Sequence, residues 1–479
     1  MRSLFAILEK SFQKKSDIPA FYYVDPEEKK VTVSAYRFTQ DVRRAIGCLT
    51  DRFGDLAQCH IAVIARNSYD YLVCMYAILG AGAVLVPLNI EKSFEEISSE
   101  IHKADVKYLL HDGEYCQREA AFAAQYEGRL MRLNDYRSSV SEKEWSVRFD
   151  PDALAMIMFT SGTTGISKGV CVTQSAMEEN ALAFAAFFDE AEKRLHLERL
   201  NFLSCLPLYH IYQFGAVTAC ITGGFAVSIC QNVRNLLRDI EMLECNYAAL
   251  VPVMMMTLSR LVKVGQKEKL GCLKEFMCAG ALCPPEIFEL FLNNGFNITN
   301  DYGLTEMDVV TINTSDDFYT KTHSVGKPFG DTAVSIEDGE VLLKGASLTS
   351  GYYNNPEETA LAIRDGWFHT GDLGYVNEDG YLFLTGRKKN VIILSSGENV
   401  SPEELEGLLA KCEQIKEMRV KEKNGAICAE IFCAEEDRDT IRAFVQEVNR
   451  SVALYKRITV LDFTADPLPK TGSGKIKRY

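Results

Sequence analysis

Through roughly the first three hundred residues, short apolar runs alternate with stretches of helical period, and that alternation limits the fold more than any other feature of the chain. The runs at 61–65, 83–88, 108–110 and 225–229 are too short for helices and too continuously apolar for half-exposed strands. Strands of this kind are buried on both faces, as in parallel sheets flanked by helices. After about Asn300 the texture changes to hairpin signals, with Asp338-Gly339 ahead of 340–344 and Asp379-Gly380 ahead of 381–384. A smaller unit begins near Gly386. It holds a helix opening at Ser401-Pro402-Glu403-Glu404, where Ser caps and Pro occupies the first turn, and a strand around 429–433. A chain of 479 residues needs more than one core, and no internal repeat or low-complexity linker divides it.

Composition removes several classes of function. A formal charge of -14 leaves no basic face for nucleic acid or an anionic membrane, so an anionic substrate must be held by a few placed cations and backbone N–H groups. The 15 cysteines are scattered without a C-x-x-C pair, and charges within residues 1–14 rule out a secretory signal there. They read as reduced, mostly buried thiols of a cytoplasmic protein. Cys278 and Cys283 are near neighbours but have no partner at zinc-ligand spacing. Two uncharged stretches, 71–90 and 201–233, are long enough to weigh as membrane spans. Both are broken by turn residues, Gly80, Gly82 and Pro87 in the first, Pro207, Gly215, Gly223 and Gly224 in the second, so they read as buried helix-turn-strand units.

The most informative segment is Thr160-Ser-Gly-Thr-Thr-Gly-Ile-Ser-Lys-Gly169, preceded by the apolar run 154–159. A strand feeding a loop of hydroxyls, glycines and one lysine can wrap a polyphosphate. Gly162 and Gly165 permit close backbone approach, Thr160, Ser161, Thr163 and Thr164 supply hydroxyls, and Lys168 adds charge. It is not a Walker P-loop, because Gly165 is followed by Ile166. A Gly/Ser/Thr surface turn is the alternative that the segment alone leaves open. The segment resembles the phosphate loop of the adenylate-forming superfamily, which comprises acyl-CoA synthetases, peptide-synthetase adenylation domains and beetle luciferases. Ser167 stands where that family usually has proline, which implies a looser loop with its backbone donors intact.

The resemblance covers nearly the whole chain, because further motifs follow in the family's order. Tyr302-Gly-Leu-Thr-Glu306 resembles the adenine and metal motif. It implies that Tyr302 stacks on adenine beside Gly303, that Thr305 contacts the α-phosphate and that Glu306 binds Mg²⁺, roles suited to a flat aromatic, a hydroxyl and a hard carboxylate. Alone, the same residues would read as a helix cap of the type Thr-x-x-Asp. Gly366-Trp-Phe-His-Thr-Gly-Asp372 resembles the ribose motif, with Asp372 accepting from both hydroxyls and Arg387 as the second contact. Ala279-Gly280-Ala281 is similar to the small-residue floor beneath adenine and the acyl carboxylate. Pro469-Lys-Thr-Gly-Ser-Gly-Lys-Ile-Lys-Arg478 resembles the catalytic-lysine motif, with Lys475 as that lysine. Leu206-Pro-Leu-Tyr-His-Ile-Tyr212 resembles the segment lining the acyl pocket, with His210 as its gate.

By this likeness the fold is α/β: a large N-terminal domain (1–386) of two α/β sheet subdomains and a β-barrel, and a small mobile α+β lid (387–479). The implied activity is an ATP-dependent acid:thiol ligase. A carboxylic acid attacks MgATP to give an acyl-adenylate, with Lys168, Glu306-bound Mg²⁺ and Lys475 sharing the charge, and a thiol then takes the acyl group. Between the steps the lid turns about Lys389 and brings Ser396 and Gly397 to the thiol channel. Adenylation domains for amino acids place an aspartate where this chain has Ile211. The apolar surround of Ile211, Tyr212, Leu282 and Met307 therefore suits a fatty or aryl acid. The local likeness of 386–406 and Gly351-Tyr-Tyr353 is to fatty acyl-CoA synthetases, while His210-Ile-Tyr212 is also similar to 4-coumarate ligases. The thiol is coenzyme A, or alternatively the phosphopantetheine of an acyl carrier protein. A non-catalytic acyl-nucleotide sensor and a luciferase-like oxygenase are the readings of another class.

Overall fold

Each apolar run becomes a strand in the computed structural model, which describes residues 18–143, 150–160, 167–394, 399–423, 425–470 and 476–478. His60–Ile64, Val84–Leu88 and Tyr108–His111 lie parallel inside a seven-stranded sheet and are buried almost throughout. That sheet runs in the order Gly351–Tyr352, Lys168–Thr173, Leu154–Thr160, Val84–Leu88, His60–Ile64, Tyr108–His111, Leu130–Arg132. Ala226–Ile229 belongs to a nine-stranded sheet whose centre is formed by the parallel strands Asn297–Leu304, Glu275–Cys278, Tyr247–Leu250, Asn201–Ser204 and Ala226–Ile229.

The stretches weighed as membrane spans fold as helix-turn-strand units. Ser68 caps the helix Tyr69–Gly80 ahead of Val84–Leu88, and the helix Ile211–Gly223 ends on Gly224 with φ 76° before Ala226–Ile229. Among the described residues no helix is long and apolar enough to cross a membrane.

The third unit is antiparallel. Ala333–Glu337, Glu340–Lys344, Trp367–Val376, Ile363–Arg364 and Leu382–Arg387 form a five-stranded sheet, the counterpart of the barrel expected from sequence. Its hairpin turns carry Asp338 and Gly339 at positive φ (49° and 79°), as a short Asp-Gly connection requires. Beyond it, Glu417–Lys423, Ala426–Phe432 and Val460–Thr464 form a separate sheet packed on Pro402–Leu409 and Arg438–Ser451. This smaller unit has its own apolar core, including Leu405, Val420, Ile431 and Val445. As expected, Ser401 caps the first of its helices, accepting from Glu404 N–H at 3.3 Å.

The large sheets are joined by the helices Gln174–Arg194 and Ile211–Gly223, and one buried carboxyl sets how closely they approach. Asn297–Leu304 and Asp308–Asn313 form a hairpin with a bulge between Tyr302 and Gly303. Its turn is Thr305–Met307, so the Thr-x-x-Asp pattern opens a strand rather than capping a helix. Asp308 adopts φ 60°, an uncommon conformation for a residue with a Cβ, and is 5% exposed. Asn180 on the first helix donates its side-chain N–H to Asp308 Oδ2. Gly215 on the second makes room, since a Cβ there would lie 2.0 Å from Asp308 Oδ2 and 2.9 Å from Asn180 Nδ2. Gly303 is equally constrained, because its Cβ would stand 2.2 Å from the Asp308 carbonyl oxygen.

Two outcomes follow from this clamp. Gly215→Ala should cost about 1–3 kcal/mol through overpacking, read as a lowered melting temperature. Burial pushes the Asp308 carboxyl up to about 8, so the folded chain holds a proton that the unfolded chain loses near the usual carboxylate value. The stabilisation is therefore complete at acid pH and drains away as pH rises towards about 8. Asp308→Asn cannot ionise, so its melting temperature relative to wild type should climb from pH 5 to pH 8 and level off above; a constant difference would refute the assignment.

Candidate active site

Two polar clusters form around the Thr305–Met307 turn. The first stands on the hairpin of Leu154–Thr160 and Lys168–Thr173, in which Thr160 is paired with Lys168. The Lys168 ammonium pairs with the Glu358 carboxylate and lies 5.2 Å from the centre of the Tyr352 ring. Tyr352, on the short strand beside Lys168–Thr173, donates its hydroxyl to Glu306 Oε1 at 2.9 Å. Tyr352 thus links the lysine of the phosphate loop to the carboxylate read as the metal ligand. Burial raises the Glu306 carboxyl pKa, against the pull of the Tyr352 bond and of the Arg387 and Lys168 charges. Thr349 fixes the turn to the hairpin, its N–H donating to the Glu306 carbonyl (2.7 Å) and its hydroxyl to that of Cys171 (2.7 Å).

Ser167 is held by hydrogen bonds: its hydroxyl reaches the Thr160 carbonyl at 3.0 Å and the buried Glu100 carboxylate, and Lys103 donates to its carbonyl at 3.2 Å, while the loop expected to be looser, 161–166, lies outside the described residues. A serine here closes the base of the loop with hydrogen bonds that proline could not donate. Ser161, Gly162, Thr163, Thr164 and Gly165, expected to wrap the phosphates, lie outside the described residues.

The second cluster surrounds Asp372, which is 5% exposed. Tyr302 donates its hydroxyl to Asp372 Oδ2 at 2.6 Å, and Arg387 Nε meets Oδ1 at 2.5 Å. Asp372 and Arg387 are direct cross-strand partners in the antiparallel sheet, so the pairing register itself sets the ion pair. Tyr302 packs its ring with Met307, Val341 and Phe368. Gly280, at φ 88°, and Ala281 are exposed immediately beyond the strand Glu275–Cys278.

Of the acyl-pocket candidates, Ile211 and Met307 line one cavity of about 20 Å³ together with Thr305, Glu306, Gly215 and Asp308. That is room for about one water. His210 holds the N-cap position of the helix Ile211–Gly223, its ring 4.9 Å from that of Tyr209. Leu282 is not buried with them, being 55% exposed. Tyr212 is buried, and its hydroxyl donates to Asp301 Oδ2 at 2.8 Å. The uncharged surround expected from sequence thus contains a carboxyl, because Asp301 reaches Tyr212 from 89 residues further along the chain.

Lys389 sits in the short turn Lys388–Asn390 that leaves the antiparallel sheet for the smaller unit. Lys388 pairs with Glu340 at 2.9 Å and Asn390 with Glu403 at 2.6 Å, while burial and the Arg387 charge push the Lys389 ammonium down to about 8. Ser396, Gly397 and Lys475 lie outside the described residues. The segment carrying Lys475 is anchored on either side: Lys470 bridges to Ile476 and pairs with Glu417 at 2.6 Å, and Arg478 pairs with Glu406 at 2.6 Å. Sequence reasoning missed Tyr352, Glu358 and Asp301 as site residues. Tyr352 was visible only as part of a local likeness, and Glu358 gave no signal. Asp301 did, as an acid inside an otherwise strand-like run.

Residues 8–353 match the model of the AMP-binding enzyme family. The chain is 29% identical to the 2-succinylbenzoate–CoA ligase of Listeria monocytogenes over 427 residues, covering 87% of each chain. It is 29% identical to a feruloyl-CoA synthase of Amycolatopsis over 441 residues, again covering 87% of each. Its fold superposes on the O-succinylbenzoate coenzyme A synthetase of Bacillus subtilis in complex with ATP and magnesium ion, with a TM-score of 0.82, 24% identity and 98% of each chain covered. No three-residue group of His, Cys, Asp or Glu among the described residues could hold a metal by itself. The chain therefore belongs to the AMP-binding enzyme family and is an AMP-forming ligase of the acyl-CoA synthetase type.

Proposed function

We propose that this ligase joins an aryl or fatty carboxylic acid to coenzyme A through an acyl-adenylate. The observation that carries the reading is the convergence of Lys168, Glu306, Tyr302, Asp372 and Arg387 through Tyr352 and Asp372, from segments far apart in the chain. Two curated relatives join aryl acids to CoA, which supports both the acid class and the acceptor.

In the first step a carboxylate oxygen attacks the α-phosphorus and pyrophosphate leaves. Lys168 holds a phosphate oxygen, exchanging Glu358 for it, and Thr305 orients the α-phosphate. Magnesium fits the site chemically, since it needs one or two carboxylates and takes its other ligands from phosphate and water, and Glu306 is one such carboxylate held by Tyr352. When bound, the ion neutralises charge on the phosphate oxygens. The Tyr302 ring faces adenine, and Asp372, aligned by Arg387, accepts from the ribose hydroxyls. Lys475 adds positive charge at the reacting carboxylate and α-phosphate. In the second step residues 387–479 turn about Lys389 as a lid, Lys475 withdraws, Ser396 and Gly397 line the thiol channel beside His210, and the thiol displaces AMP.

The reading is tested by pyrophosphate release and by thioester formation with either CoA or a phosphopantetheinylated carrier protein, across a panel of acids. Thioester on CoA supports it; thioester on the carrier alone replaces the acceptor; no pyrophosphate with any acid refutes the ligase reading. Lys475→Ala should lower adenylation by about 10²-fold or more while sparing thioester formation from a supplied acyl-adenylate, because the lysine acts in one step only. Equal loss in both half-reactions would remove Lys475 from that role.

A further inference from the structure

Asp301 is the feature that the ligase chemistry leaves unused. It lies on the strand Asn297–Leu304, one residue before Tyr302 and on the opposite face of the sheet, since side chains alternate along a strand. It is 4% exposed. Tyr212, the second residue of the helix that opens beside His210, donates to its Oδ2, while its Oδ1 has no hydrogen-bond partner among the described residues. Thr299, two residues back and therefore on the same face, is 2% exposed, and its hydroxyl is likewise without a partner. Leaving a buried polar group unpaired costs free energy, and two adjacent ones on one strip mark a place for a polar group that the chain itself does not supply.

Glu275 on the neighbouring strand shows the contrast. It is fully buried too, yet Tyr247 donates to its Oε1 at 3.0 Å and Arg194 meets Oε2 at 2.8 Å, so its charge is answered within the protein. Among the described residues Asp301 has no such cation. Burial, reinforced by the Glu275 charge, pushes its carboxyl well above the usual carboxylate range and keeps it in the acid form. A neutral carboxyl engaged by one phenol has one oxygen left to share a hydrogen bond. An ammonium would bring three donors and a full charge into this place, and a second carboxylate would bring repulsion from Glu275.

We propose that Asp301 is a specificity-determining residue of the acyl pocket, and that the acid this enzyme activates carries a hydroxyl, alcoholic or phenolic, whose hydrogen bond ends on Asp301 Oδ1. The inference rests on the ligase reading and on the sequence resemblance that assigns Tyr212 to the acyl pocket. It narrows the substrate from fatty or aryl acids in general to hydroxylated ones.

The test is pyrophosphate release by the full chain with MgATP over two matched series: 3-phenylpropanoate with its 4-hydroxy and 4-methoxy derivatives, and hexanoate with its 6-hydroxy, 6-amino and 6-carboxy derivatives. In at least one series the hydroxy acid should exceed its unsubstituted, ether, amino and carboxy counterparts by about tenfold or more in kcat/KM, because a site built to bond a hydroxyl rejects the analogue lacking it. Asp301→Leu should lower kcat/KM at least about tenfold more for the hydroxy acid than for its unsubstituted partner, and Asp301→Asn, which keeps an acceptor oxygen, should restore most of the preference. A residue that only supports the fold would lower both acids alike, and that result overturns the proposal. So does a wild-type enzyme that is active but prefers the unsubstituted or amino acid in both series, an outcome that leaves the ligase reading intact. The wild-type series decides even where the leucine variant does not fold.

Discussion

The arrangement of this molecule depends on the bond between Asn180 and the buried carboxyl of Asp308. It pins the Thr305–Met307 turn to the helix Gln174–Arg194, and Gly215 lets the helix Ile211–Gly223 close over it. The turn in turn presents Tyr302 to the antiparallel sheet and Glu306 to the phosphate-loop hairpin. A positive φ at a residue with a Cβ is costly, and it persists only where the surroundings over-determine it. Here three elements do so at once, which explains why two glycines, Gly215 and Gly303, are needed within van der Waals reach of one aspartate.

Charge is handled in two ways on either side of that turn. Asp372 is paired by geometry, since the cross-strand register places Arg387 opposite it and Tyr302 supplies a further donor. Truncating Arg387 would take the cation away from a buried carboxyl, typically a damaging outcome. Asp301 and Asp308 instead have carboxyls raised by burial, with amide or phenol donors and no cation among the described residues. One flank of the turn is thus built from paired charges, and the other from buried carboxyls held by neutral donors.

Lys168 and Glu306 also have internal partners that occupy them without substrate. Glu358 holds the lysine and Tyr352 the glutamate, and both partners come from residues 351–362, next to the seven-stranded sheet. Side chains kept in place by such contacts lose less freedom when a phosphate arrives, so the ligand meets a formed site. The tied Ser167 has the same effect on the loop's base, where a proline would have stiffened the backbone by its ring alone.

The sequence by itself determined the strands and the order of the chemistry. Continuous apolar runs of strand length are buried between helices, and the hydroxyl-glycine-lysine loop, the Tyr302–Glu306 turn and Asp372 stood out because the chemistry proposed for them depends on residue type at short range. Ser401 was legible as a cap for the same local reason. What only the tertiary structure decided are the pairings between remote residues. Tyr352 reaches Glu306, Tyr212 reaches Asp301 and Asn180 reaches Asp308 because sheet register and helix packing bring together segments tens to more than a hundred residues apart. No local pattern encodes such a contact. An aspartate in a strand looks the same in the sequence whether its carboxyl meets an arginine, as Asp372 does, or a buried amide, as Asp308 does, because the partner is fixed by sheet register and helix packing and not by the neighbouring residues.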